Sequence, residues 1–292
     1  MLYPSHSPLQ ARTVIRGRNT RHPRAKARKA GLSLNCMFNG RGVYETDEAR
    51  FSVDDRFFLL LNADRDYAFH IDSETAVESL SICLPPAFVD QAYAALTRDD
   101  GALLDEPGAL ARPGHEFFET LYRHDRRIGP PIRSLRHRLD AGPLAEPDLE
   151  ERLRHLAATL LLTLRHFERR AAAAVDAQRP GTRRELARRL HRAKDYMHAH
   201  LERDLPLEEI AAAAALSPHH FLRRFRTAFG RTPHAYLVEQ RLERARTLLA
   251  ETDLPVLAVC LRVGFSSGPS FSALFRRRHG LSPRAYRQRR RK

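Results

Sequence analysis

The residues best equipped for chemistry lie in "SPHHFLRRFRTAFG", Ser217–Gly230. On a helical wheel of about 100° per residue, Phe221, Phe225, Ala228 and Phe229 share one face. His219, His220, Arg223, Arg226 and Thr227 take the opposite one. An aromatic back packs into a core, while a front of arginine and histidine presents donors outward. Arginine so placed reads guanine O6 and N7 through two parallel hydrogen bonds, or clamps a phosphate. The competing reading is a charged face that meets only water.

A second copy of the passage separates these readings. "FLRRFRTAFGRTPHAY" from Phe221 is answered by "FSALFRRRHGLSPRAY" from Phe271. Phe271, Phe275, Arg276, Gly280, Pro283, Ala285 and Tyr286 each follow their counterparts by fifty positions, and "DLP" precedes both copies, at Asp204–Pro206 and Asp253–Pro255. A lone solvated helix needs no twin. Two reading helices can enter successive major grooves on one face of a duplex.

The elements that must hold these fronts are helices joined by short turns. "LPLEEIAAAAALSPHHF" has the form of a helix-turn-helix, with Leu207, Ile210, Ala211 and Ala214 inward and the turn at Leu216-Ser217. Ser217 is expected to cap the second helix, with Pro218 in its first turn. "DLPVLAVCLRVGFSS" repeats the arrangement with Val256, Val259, Cys260 and Val263. Between the copies, Tyr236, Leu237, Leu242, Ala245, Leu248 and Leu249 have the spacing of one long connecting helix.

Charge follows the same division. Of the net +15, residues 181–292 carry 24 Lys and Arg against 10 Asp and Glu, and residues 1–30 carry 8 basic residues and no acidic one. The intervening 31–180 is net acidic. Basic charge so clustered points to a polyanion, because each phosphate neutralised releases a condensed counterion.

"LEEIAAAAALSPHHFLRRFRTAFGRTPHAYLVEQRLERARTLLAETDLPVLAVCLRVGFSSGPSFSALFRRRHGLSPRAYR" resembles the DNA-binding region of the AraC/XylS transcriptional regulators, over about residues 185–288. The resemblance implies two helix-turn-helix units on one linking helix, with the third and sixth helices on DNA. Carried over by position, the first reading helix uses His219, Leu222 and Arg223, and the second Gly268, Pro269, Ser270 and Ala273. Gly268 and Pro269 bring no side-chain hydrogen bond, and Ala273 only apolar contact. Arg276 and Arg277 nearby suit phosphate. The first unit is therefore expected to discriminate sequence and the second to anchor the backbone.

The N-terminal half resembles the family more loosely, as a small cupin-like β-unit with helices. Strands are expected from about Gly31 to Leu84, in "ARFSVDDRFFLLLN", "YAFHID" and "VESLSICL". Helices are expected over "AFVDQAYAAL", over "GHEFFETLYRHDRRI" with a stop at Gly129-Pro130-Pro131, and from Pro147 to about Ala174. The last carries a stripe of Leu149, Leu153, Leu156, Leu160, Leu164 and Phe167. That stripe covers the sheet of its own domain, forms a seam with a partner helix, or does each along a different part of its length.

The expected architecture is thus α+β. It has a basic, disordered tail over 1–30, an effector-binding or dimerisation domain over 31–174, a linker over 175–183 and the DNA-binding domain over 184–292. His70 stands alone in "AFHID" as a packed core residue, and His191, His198 and His200 lack the cysteines or carboxylates of a zinc site. No metal or cofactor is expected. No phosphate-cradling loop, dinucleotide fingerprint or strand-elbow serine is present, so no catalysis is expected either. One enzymatic alternative is a cysteine-dependent DNA-repair fusion. Against it, Cys36 and Cys83 lie in apolar company.

The partners named by this reading are double-stranded DNA, a second copy of the chain, RNA polymerase and a small-molecule effector, with no membrane. Whether the N-terminal half senses a ligand or only dimerises stays open at this level. Phe51, Phe57, Phe58, Tyr67 and Phe69 suit a pocket lining or a plain core, and the acidic balance weighs against a cavity built for an anion. The reading expects an activator in the cytoplasm, on the nucleoid.

Overall fold

The computed structural model describes residues 13–98, 116–175 and 179–291, with the side chains of 93–98 and 291 left aside. The chain divides into two compact units, Met1–Ala173 and Ala174–Lys292.

The first unit is a curled antiparallel sheet of seven strands, nearly closed on itself, with helices packed on its outer face. The strands are β1 (Val14–Arg28), β2 (Leu32–Phe38), β3 (Arg41–Glu45), β4 (Arg50–Asp54), β5 (Phe57–Leu61), β6 (Asp66–Leu84) and β7 (Leu121–Arg123). Their order is β4-β3-β6-β2-β5-β7, and β1 pairs with the other edge of β6. Alternation along the strands makes two cores. Met37, Tyr44, Phe51, Val53, Leu59, Leu61 and Tyr67 fill the inner face. Leu34, Cys36, Phe58, Leu60, Leu80 and Ile82 meet the helices on the outer face.

Those helices are α1 (Pro86–Arg98), α2 (Gly129–Ala141) and α3 (Glu146–Ala173). Leu149, Leu153, Leu160 and Leu164 of α3 are wholly buried and Leu156 almost so, all in the outer-face core. The stripe is spent within its own unit, and the partner-helix seam is excluded for these positions.

The structure corrects three expectations here. Residues 14–28, read as part of a disordered tail, form β1; residues 1–12 lie outside the described residues. β1 shows no hydrophobic period because its main-chain ladder to β6 holds it, with bulges between Asn19 and Arg21 and between His22 and Ala25. Its arginines meet acids, as in Arg24 Nε to Glu45 Oε2 at 2.8 Å. The helix expected over 114–128 is absent from its described part, where β7 pairs instead with β5. Asn62 holds the approach: its Nδ2 donates to the Phe117 carbonyl, and its Oδ1 accepts from the Phe117 N–H, both at 3.0 Å. Gly129-Pro130-Pro131 opens α2 instead of stopping a helix. Proline fits a first turn, and Asp125 Oδ1 accepts from the N–H groups of Arg127 and Ile128.

The second unit is all helix: α4 (Pro180–Ala199), α5 (Leu207–Ala213), α6 (Pro218–Phe229), α7 (Pro233–Glu251), α8 (Val256–Arg262), α9 (Gly268–His279) and α10 (Pro283–Arg291). α4 begins inside the stretch read as linker. Phe221, Phe225, Phe271 and Phe275 are all fully buried. Both α6 and α9 end on a left-handed glycine cap, Gly230 at φ 67° and Gly280 at φ 78°. The two copies are offset by 49 residues as far as the turn and by 50 after it. The Leu216 N–H donates to the Ala211 carbonyl as the Phe265 N–H does to Cys260, whereas Phe221 matches Phe271. The second turn therefore holds one extra residue.

Candidate nucleic-acid interface

α6 and α9 are held from behind in the same way. Phe221 lies 5.3 Å from Phe225, which meets Tyr236 edge-on at 5.9 Å. Phe271 lies 5.7 Å from Phe275, which meets Tyr286 edge-on at 5.7 Å. With the aromatic backs locked, the fronts have fixed directions.

On α6, His219, Leu222, Arg223, Arg226 and Thr227 are exposed. Neither guanidinium, of Arg223 or of Arg226, meets a carboxylate among the described residues. His220 departs from the expected front. It is half-buried, and its Nε2 accepts from Arg224 Nε at 3.0 Å. Burial and then the guanidinium groups of Arg224 and Arg223 lower its pKa. The Thr227 hydroxyl turns back to donate to the Arg223 carbonyl at 3.1 Å. Ser217 occupies the N-cap position, but its side chain makes no capping bond.

On α9, Pro269, Ser270, Ala273, Arg276 and Arg277 are exposed and Gly268 is half-buried. Here the cap forms: Ser267 Oγ accepts from the Ser270 N–H. Arg276 and Arg277 are also unpaired among the described residues. The neighbouring arginines are not. Arg278 pairs with Glu239 at 2.6 Å and Glu243 at 3.3 Å, and Arg231 pairs with Glu239. The acids of α7 thus sort the arginines, tying down those behind and leaving four guanidinium groups forward.

Sequence reasoning passed over two features. Leu257 and Leu261, one turn apart on α8, are 61% and 56% exposed. Arg241 on α7 is 9% exposed. Its place at four-residue steps between Leu237, Ala245 and Leu249 was a signal of burial. Among the described residues no group of three or more His, Cys, Asp or Glu could hold a metal ion, and no helix is long and apolar enough to cross a membrane.

The helix-turn-helix domain family matches residues 210–289. The chain is 26% identical to a probable transcriptional regulator, LumQ of Photobacterium leiognathi, over 73% of its own length and 84% of that protein. It is 37% identical to the transcriptional activator RhaS of Klebsiella pneumoniae, over 34% of its own length and 36% of RhaS. Other curated relatives are likewise matched over about a third of their length. The DNA-binding domain of AdpA, a global transcriptional factor solved with a target DNA, is 37% identical over 35% of this chain and 92% of that one, with a TM-score of 0.34. The chain belongs to the AraC/XylS family of DNA-binding transcriptional regulators.

Proposed function

We propose that this chain activates transcription by reading two successive major grooves of duplex DNA, α6 in one and α9 in the next. The observation that carries the reading is the set of forward, unpaired guanidinium groups on two helices with matching aromatic backs: Arg223 and Arg226 on α6, Arg276 and Arg277 on α9. His219, Leu222 and Arg223 would select bases. Ser270 and Ala273 add modest selectivity, and Arg276 and Arg277 grip phosphate. RNA polymerase is the partner through which activation runs. Binding-site selection from a random duplex pool tests the reading, which expects a two-part site with its halves one helical turn apart. A selected pool with no sequence enrichment contradicts it.

For the N-terminal unit we propose effector sensing, with dimerisation, over dimerisation alone. An open cleft of about 550 Å³, lined by Arg24, Lys26, Glu45, Asp47, Asp66 and Tyr67 among others, favours it. Both signs of charge lie in the cleft, which suits a small zwitterion. Thermal shifts of the full chain across amino acids and related zwitterions test this, because a ligand bound only by the folded state raises apparent stability. No shift with any of them, beside a stable dimer, favours dimerisation alone.

A further inference from the structure

Arg241 lies where three segments of the DNA-binding unit meet. From α7, its Nε donates to the Leu201 carbonyl at 2.9 Å and its Nη2 to the Arg203 carbonyl at 2.6 Å. Both carbonyls follow the end of α4, where a cation complements the helix dipole. On its other side the guanidinium stands 5.9 Å from the centre of the Phe265 ring, in the turn between α8 and α9. Gly264 completes the contact: a Cβ there would come within 2.9 Å of Arg241 Nε and 2.3 Å of the Leu201 carbonyl oxygen. The base of the first helix-turn-helix, the connecting helix and the turn of the second are thus packed on one buried cation.

Burial of a guanidinium that makes no ion pair, with the Asp204 carboxylate acting on it only from a distance, is costly, and an apolar side chain of the same volume fills such a position at less cost. What the arginine adds is direction, because its planar fork holds two carbonyls in one geometry. Besides the apolar packing of α7 against α6, α8 and α9, polar ties to α7 include the pairs of Arg278 and Arg231 with Glu239 and Glu243, and both arginines are nearly half exposed. Exposed pairs of that kind constrain little.

We infer that Arg241 is a positioning residue that sets the spacing and phase between α6 and α9, and so selects DNA by the distance between its half-sites. The inference rests on the two-groove reading above and deepens it. Inserting one base pair between half-sites turns one against the other by roughly 35° at about 10–10.5 base pairs per turn. A rigid pair of helices cannot follow that change, and a pair released from Arg241 can.

The experiment measures anisotropy of the full chain on its selected duplex and on versions with one base pair inserted or deleted between the halves. Thermal melts run alongside. The wild type is expected to bind the altered spacings at least about tenfold more weakly. In Arg241→Met the penalty is expected to fall below about threefold, with base preference within each half unchanged. Gly264→Ala, which pushes on the same guanidinium, should change in the same direction, and Arg278→Ala should keep the full penalty. If Arg241→Met does not fold, Arg241→Lys and Arg241→Gln are judged by the same criterion. A folded Arg241 variant with an undiminished penalty overturns the inference. A wild type indifferent to spacing overturns instead the two-groove reading beneath it.

Discussion

Ala215 and Gly264 occupy the same left-handed position in their respective turns, at φ 50° and φ 88°. The residue after each donates to the helix behind at 3.1 Å. The fold therefore asks the same backbone conformation of an alanine and of a glycine. A side chain costs about 1–2 kcal/mol in that region, while glycine loses more entropy on folding. Ala215→Gly is thus expected to leave the unit as stable or up to about 1 kcal/mol more so. Gly264→Ala should cost about 2 kcal/mol or more, because its Cβ would meet the Leu201 carbonyl oxygen at 2.3 Å. Denaturant melts of the two variants compare them directly, and equal effects would show that the turns are not equivalent.

The division of labour between the two reading helices gives a second test. Arg223→Ala should relax preference at one base position by about 1–3 kcal/mol. Arg276→Ala should weaken all sequences alike and lower the slope of log affinity against log salt by about 1. Binding-site selection with each variant reads this out. Identical preferences in both would remove the distinction between reading and anchoring.

Lys29 predicts a pH dependence for the N-terminal unit. Its ammonium, bonded to Asn35 Oδ1 and Ser81 Oγ, is drawn into the protein, and burial lowers its pKa from 10.5 to about 8. Between those values the unfolded chain holds the proton and the folded one does not, so stability rises with pH across that window. The penalty is full below about pH 8. Lys29→Met should therefore stabilise the unit at pH 7 by on the order of 1–3 kcal/mol, and the gain should shrink toward pH 10.5. A gain that does not vary with pH would mean the lysine is solvated.

Cys36 tests the cysteine-dependent alternative. It is fully buried, and desolvation pushes its thiol up to about 12. Iodoacetamide at pH 8 should leave it unlabelled in the native protein and label it only after denaturation. Fast native labelling of Cys36 would restore the repair-enzyme reading.

The reading helices were legible because their pattern was written twice, and hydrophobic period and charge agreed at each copy. Local signals failed where tertiary contacts decide. β1 is a polar edge strand whose order comes from its ladder with β6, and Pro23 and its bulges erase the alternation that marks a strand. Phe117, Phe118, Leu121 and Tyr122 fit a helical period, yet Asn62, 55 residues away, holds the chain extended. Arg241 was hidden by its chemistry, since an arginine in a basic module reads as surface. The faces of α6 proved sharper than their wheel: His220 and the Thr227 hydroxyl are engaged by their own helix.

Methylation interference at guanine N7 on a selected duplex tests the account most directly, because N7 lies in the major groove where an arginine from α6 would bind. The expected result is interference at a guanine in the half-site read by α6, lost in Arg223→Ala. Phosphate ethylation should then interfere in two clusters on one face of the duplex, about one helical turn apart. A single cluster, or two on opposite faces, would contradict the claim that two matched helices hold neighbouring grooves.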